Sequence, residues 1–233
     1  GIMPVHLYAL SLRRFAVGVS NLPICKRTNY QLISTTKSLR TFGTSKTMSA
    51  KTACVLLAEG AEEMEAVIAI DVLRRAGVTV TVAGVDGTQL KCSRGVVLVA
   101  DKPLADVQNE AFDAIVLPGG LQGAKTLSTN ATVGTMLKAQ EAGGRLVGAI
   151  CAAPMALAAH GVGKGKHVTI YPSMEEHMAG YICKENKVVV DGKLVTSQGP
   201  GTAFDFALTL IKELLGEEAA KATAKPMLVE PRI

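Results

Sequence analysis

The 233-residue chain predicts an α/β fold, a three-layer arrangement in which a mostly parallel sheet carries helices on both faces. Two observations predict it. From residue 52 onward, apolar β-branched runs alternate with amphipathic helical stretches, the order that builds a parallel sheet through crossover helices. The strand segments are also apolar on both sides, the pattern of strands covered above and below.

Taken in order, ACVLLA (53–58) reads as a buried strand, AEEMEAVIAIDVLRRAG (61–77) as a helix closed by Gly77, and VTVTVAG (78–84) as the next strand. LKCSRGVVLVA (90–100) sets turn residues among β-formers and predicts a hairpin at a sheet edge. Strand DAIVLPGG (113–120), a helix over 130–142, strand RLVGAI (145–150), a helix over 152–160 and strand HVTI (167–170) follow. KVVVDGKLVTS (187–197) predicts a hairpin turning on Asp191-Gly192, and a helix over 201–216 precedes a short Ala/Lys helix.

Charge excludes some functions. Residues 1–47 hold seven basic residues and no acid, so the chain's +5 leaves −2 for residues 48–233. A mildly acidic body is a poor phosphate groove, and sequence-specific nucleic-acid binding is not expected. No stretch reaches the ~18 apolar residues that span a bilayer. Residues 1–49 are basic, Ser/Thr-rich and acid-free, the composition of a mitochondrial transit peptide and of a disordered leader. The body is expected over 50–233. A form starting at Met48 would be expected in the cytoplasm, with the nucleus also open to it. Five cysteines without a C-x-x-C pair disfavour a disulfide framework, and four histidines without ligand spacing give no metal site.

In a parallel sheet, reactive groups gather beyond the carboxyl ends of the strands. Two such ends stand out, LPGG and GAIC. Cys151 lies at a strand-to-helix turn among Gly148, Ala149, Ala152 and Ala153, small neighbours that permit a strained nucleophile turn. Pro154 fits the first helical turn, and the helix N-terminus favours a thiolate. Gly119 and Gly120 can present bare N–H groups to an oxyanion. In AEGAEEMEAV, Glu65 has Ile68, Ala69, Val72 and Ala76 on its helical face, so burial would raise its pKa and keep it protonated.

GAEEMEAVIAIDVLRRAGVTVTVAG, CSRGV, VLPGG, AICAAP and GPGTAFDFAL occur in that order over about residues 50–229. Together they resemble the Parkinsonism-associated deglycase (DJ-one) family of the ThiJ/PfpI superfamily. The resemblance implies a flavodoxin-like fold, a homodimer and no cofactor. It implies Cys151 as a redox-sensitive nucleophile and Glu65 as a protonated acid stabilising its thiolate or sulfinate. Gly119, Gly120 and Ala152 would form the anion pocket, and Arg94 would contact an anion.

Three departures accompany it. Tyr171 stands where a family histidine is expected, Gln198 replaces an arginine before GPGT, and Ala152 replaces the histidine of protease-like relatives. The expected function is a stress-protective glyoxalase or deglycase acting on methylglyoxal and other small reactive aldehydes or their early glycation adducts. The alternative is a non-enzymatic redox sensor or chaperone switched by Cys151 oxidation. An FMN module is disfavoured by the acidic first strand-to-helix turn, and an amidotransferase by the missing histidine.

Overall fold

The computed structural model describes residues 50–230; the basic leader expected over 1–49 lies outside the described residues. The central sheet has seven strands in the order β10-β11-β7-β6-β1-β2-β5. They are β1 (Thr52–Leu57), β2 (Thr79–Gly84), β5 (Lys102–Pro103), β6 (Ala114–Leu117), β7 (Leu146–Ile150), β10 (Val188–Asp191) and β11 (Leu194–Ser197). Only β10 runs antiparallel to its neighbour. This is the flavodoxin-like α/β arrangement the sequence predicts.

Alternation along the strands divides the core. Ala53 and Val55 of β1 join one apolar cluster, and Cys54 and Leu56 join the other, because successive side chains point to opposite faces. The first cluster packs under α1 (Glu63–Arg75), α6 (Ala203–Leu215) and α7 (Glu217–Ala224). The second packs under α2 (Leu104–Val107), α3 (Leu121–Thr129), α4 (Ala131–Ala142) and α5 (Pro154–His160).

Several expectations need correction. The 90–100 hairpin forms, but β3 (Gln89–Lys91) and β4 (Val97–Val99) make a separate two-stranded ribbon over Leu57, Ala66 and Val82. The sheet edge beside β2 is instead taken by β5, ending at Pro103, which lacks an N–H and suits an edge. Segment 167–170 stays outside the main sheet, since β11 already has partners on both sides. Its residues His167–Val168 (β8) pair with Ile182–Cys183 (β9). The second hairpin pairs Asp191 with Leu194, so the two loop residues are Gly192 and Lys193, with Gly192 at φ +63°. Helix α3 escapes the sequence reading because Gly123 and three Ser/Thr residues weaken its propensity. Gly123 is needed there: a Cβ would stand 3.0 Å from the Ala61 backbone.

The strand order reverses between β1 and β6, whose following helices α1 and α3 cover opposite faces. A crevice opens there, at the carboxyl ends of β1, β6 and β7.

Candidate active site

Cys151 follows the last residue of β7 with φ +63°, a left-handed conformation that costs a non-glycine residue about 1–2 kcal/mol. Its backbone is held on both sides. The Cys151 N–H donates to the Ser197 carbonyl of β11 at 2.9 Å, and its own carbonyl accepts from Tyr171 N at 2.9 Å. The strained turn expected from the small neighbours is present.

The three glutamates at the start of α1, Glu62, Glu63 and Glu65, are all buried, and each does something different. Glu62 caps α1, accepting from Glu65 N at 2.8 Å. Glu63 accepts from Ser93 Oγ at 2.9 Å and from Arg94 N at 2.9 Å, with Val96 N at 3.4 Å. Burial opposes its charge, but these donors hold its carboxyl below the usual range. Glu65, with no exposed surface, accepts from Gly119 N at 2.7 Å through Oε2. Its Oε1 has no hydrogen-bond partner of good geometry among the described residues. The carboxyl nevertheless lies close enough to the Cys151 thiol for each to shift the other's ionisation.

Burial pushes Glu65 up to about 7, against the Gly119 and Cys151 hydrogen bonds. This is the direction its apolar helix face predicts. Cys151 feels opposed influences. Burial first, and then the charge of an ionised Glu65, push the thiol up to about 12, while the Gly120 and Ala152 N–H groups pull it down. The expectation that the helix start alone lowers the thiol is therefore corrected: with Glu65 ionised, burial and the facing charge outweigh the donors. The charge contribution exists only while Glu65 is ionised.

Gly119, expected in the anion pocket, gives its N–H to Glu65 instead. The donors beside the sulfur are Gly120 and Ala152. Gly120, at φ +83°, has the Gly60 carbonyl and the Glu62 N against it, leaving no room for a Cβ. These groups open into a cavity of about 760 Å³, whose walls include Glu62, Cys92, Arg94, Cys151 and Tyr171. Arg94 is on the exposed wall, its backbone held by Glu63. Gln198 turns to the Glu185 carbonyl at 3.0 Å and does not line the cavity. Sequence reasoning missed the Glu62 cap, the Glu63 clamp and Cys92 in the wall. S/T/N/D-type capping rules do not flag a Glu-Glu pair, and a clamp across thirty residues has no local signal.

No group of three or more His, Cys, Asp or Glu is arranged to hold a metal among the described residues, and their four cysteines are free. No described helix is long and apolar enough to cross a membrane.

Comparison with known proteins gives a consistent set of relatives. The model of the DJ-1/PfpI family matches residues 51–213. Protein dj-1beta of Drosophila melanogaster is 52% identical over 182 residues, 77% of this chain and 97% of that protein. The glutathione-independent glyoxalase DJR-1.2 of Caenorhabditis elegans is 41% identical over 180 residues, 76% of this chain and 96% of that protein. The crystal structure of Drosophila melanogaster DJ-1beta superposes with a TM-score of 0.76 at 51% identity, covering 78% of this chain and 99% of that one.

Proposed function

Because the chain belongs to the DJ-1/PfpI family, we propose that it is a cofactor-independent glyoxalase in which Cys151 is the nucleophile and Glu65 carries the proton. The observation that carries this reading is the unpartnered, fully buried Glu65 Oε1 beside a strained cysteine turn with two N–H donors. An ionised Glu65 would leave the buried Oε1 with only the weak Cys151 thiol as a donor, which is costly. The proton belongs on Oε1, from which it can be donated to sulfur. The negative charge belongs on sulfur, which faces Gly120 N–H, Ala152 N–H and that carboxyl.

The chemistry balances without an external oxidant. The Cys151 thiolate adds to the aldehyde carbon of methylglyoxal, forming an S–C bond, and the aldehyde oxygen takes the Glu65 proton. The Glu65 carboxylate then removes the hydrogen on that carbon as a proton and returns it to the former ketone carbon, while the hydroxyl proton passes from the aldehyde oxygen to the ketone oxygen. The aldehyde carbon is oxidised to a thioester as its neighbour is reduced to an alcohol. Water cleaves the thioester, giving lactate and restoring the thiol. In deglycase activity the Cys151 thiolate would displace the amine from the carbinolamine carbon of an early glycation product, the leaving nitrogen taking the Glu65 proton, and the same hemithioacetal would continue to lactate. Lactate formation from methylglyoxal, beside Cys151→Ser, tests the reading. The parent forms lactate and the variant does not; a parent without lactate overturns it.

A second reading is favoured by the same two donors. The Gly120 and Ala152 N–H groups could bind the oxygens of a sulfinate formed by two equivalents of peroxide. It wins if protection of cells tracks Cys151 oxidation in a protein without turnover. The expected homodimer is supported by exposed Val67 of α1 and Val99 of β4, which line one surface depression; light scattering on Val67→Glu tests it. For the leader, the proposal remains mitochondrial import, tested by a reporter fused to residues 3–47.

A further inference from the structure

Tyr171 sits at the mouth of the cavity, where the charge and shape of the walls are unequal. One side is polar, with Glu59, Lys91, Arg94 and Gln122. The other is apolar, formed by Tyr171, Met174 and Pro200. The backbone explains why the apolar side is a fixed wall. Tyr171 N donates to the Cys151 carbonyl at 2.9 Å, which ties the start of the wall to the nucleophile's own residue. The chain then reverses at once, with Met174 N donating to the Tyr171 carbonyl at 3.1 Å. Pro172 and Ser173 are the central residues of this turn, and Ser173 takes φ +72°. Proline first and a positive φ second is the pattern of a type II turn, in which glycine or asparagine normally takes the second place. A serine held there stores strain, and strain of this kind gathers at ligand clamps. The turn brings Met174 back beside Tyr171. Gly199 lies beside the ring, where an added Cβ would stand in ordinary contact at 3.6 Å from Cδ2. Tyr171 is 49% exposed, enough to offer a face of its ring to a ligand. A cavity of about 760 Å³ is also far larger than a three-carbon aldehyde fills.

We infer that Tyr171 is a specificity-determining residue that selects 2-oxoaldehydes carrying a flat apolar substituent, which stacks on its ring while the aldehyde carbon reaches Cys151. The inference rests on the glyoxalase reading for its chemistry but not for its binding preference. Phenylglyoxal would pass through the same steps as methylglyoxal, with mandelate as the product in place of lactate. The contact acts in binding, so it appears in KM more than in kcat.

The experiment uses the full chain, with phenylglyoxal and methylglyoxal as substrates and mandelate and lactate as ligands in titration calorimetry. The parent prefers phenylglyoxal over methylglyoxal in kcat/KM and mandelate over lactate in affinity. Tyr171→Ala lowers both preferences roughly five-fold, the size of an aromatic contact. Tyr171→Phe keeps them, and Tyr171→Leu serves if the alanine variant does not fold. Failure of turnover alone, with mandelate still preferred through Tyr171, refutes the glyoxalase reading and leaves this inference standing. Equal affinity of the parent for mandelate and lactate overturns it, as does a preference that survives loss of the ring.

Discussion

The N–H of Gly119 donates to Glu65 Oε2 at 2.7 Å, joining the end of β6 to the first turn of α1. A Cβ on Gly119 would lie 2.6 Å from Cys151 Cβ, 2.7 Å from Glu65 Oε2 and 2.8 Å from the Ile150 carbonyl. The glycine is thus both the anchor of the carboxyl and the spacer that lets carboxyl and thiol meet.

Gly119→Ala is expected to push Glu65 from Cys151 and reduce lactate formation about 100-fold, the scale of a small misplacement of reacting groups. It should also destabilise the fold by about 1–3 kcal/mol through overpacking. Paired kinetics and thermal melts check this; an alanine variant with parental turnover would show that the spacing is unimportant.

Glu65 gives a pH signature. Its folded pKa of about 7 lies above the ordinary 4.5, so its favourable contribution is full below pH 4.5 and is lost as pH rises through 7. The shift corresponds to on the order of 3 kcal/mol at most. Glu65→Gln should therefore gain stability relative to the parent at pH 8, with the gain shrinking toward pH 4.5. Denaturant unfolding across that range measures it, and a difference independent of pH would argue against a buried acid.

Glu63 has the opposite sign. Its carboxyl is held below the usual range by the 93–96 donors, so its contribution is present above about pH 4.5 and disappears as acid protonates it. Glu63→Ala should cost about 2 kcal/mol and speed amide exchange at Arg94 and Val96. Hydrogen exchange resolved by residue would reveal whether this loop is held by that carboxylate.

Cys151 pays for its position in backbone strain. Glycine adopts φ +63° without penalty, so Cys151→Gly should be about 1 kcal/mol more stable than Cys151→Ala, although both lose turnover. Equal melting temperatures would mean that the turn carries no strain.

Cys151 should also be the first described thiol oxidised to sulfinic acid, because it lines the open cavity beside two N–H donors. Cys54 has no exposed surface and lies outside the cavity, and Cys92, in the same wall, has burial and the charges of Glu63, Glu59 and Glu62 against its thiolate. Peroxide titration with peptide mass spectrometry tests the order, and earlier modification of Cys92 would contradict it.

Local pattern made much of the fold legible. β1, α1, β2, β7 and α6 carry apolar periods long enough to declare their type, and Gly77, Asn130 and Gly161 mark helix ends in the chain itself. The short elements β5 and β9 were not legible, and β8 was read as a longer strand over 167–170, because two-residue strands are defined by partners rather than by their own side chains. The same division runs through the site. Small residues around Cys151 announce a tight turn, and the apolar face below Glu65 announces a buried carboxyl.

The sequence by itself determined the α/β class, the place of Cys151 at a strand end and the upward shift of Glu65, since each depends on residues within about a dozen positions of one another. Tertiary structure alone decided that Gly119 serves Glu65 rather than an anion, that Glu63 clamps a loop thirty residues away, and that Tyr171, Met174 and Arg94 line one cavity. Those relations depend on which strands lie side by side. Pairing of β6 with both β1 and β7 brings positions 65, 119 and 151 together, and directional hydrogen bonds then choose the partners.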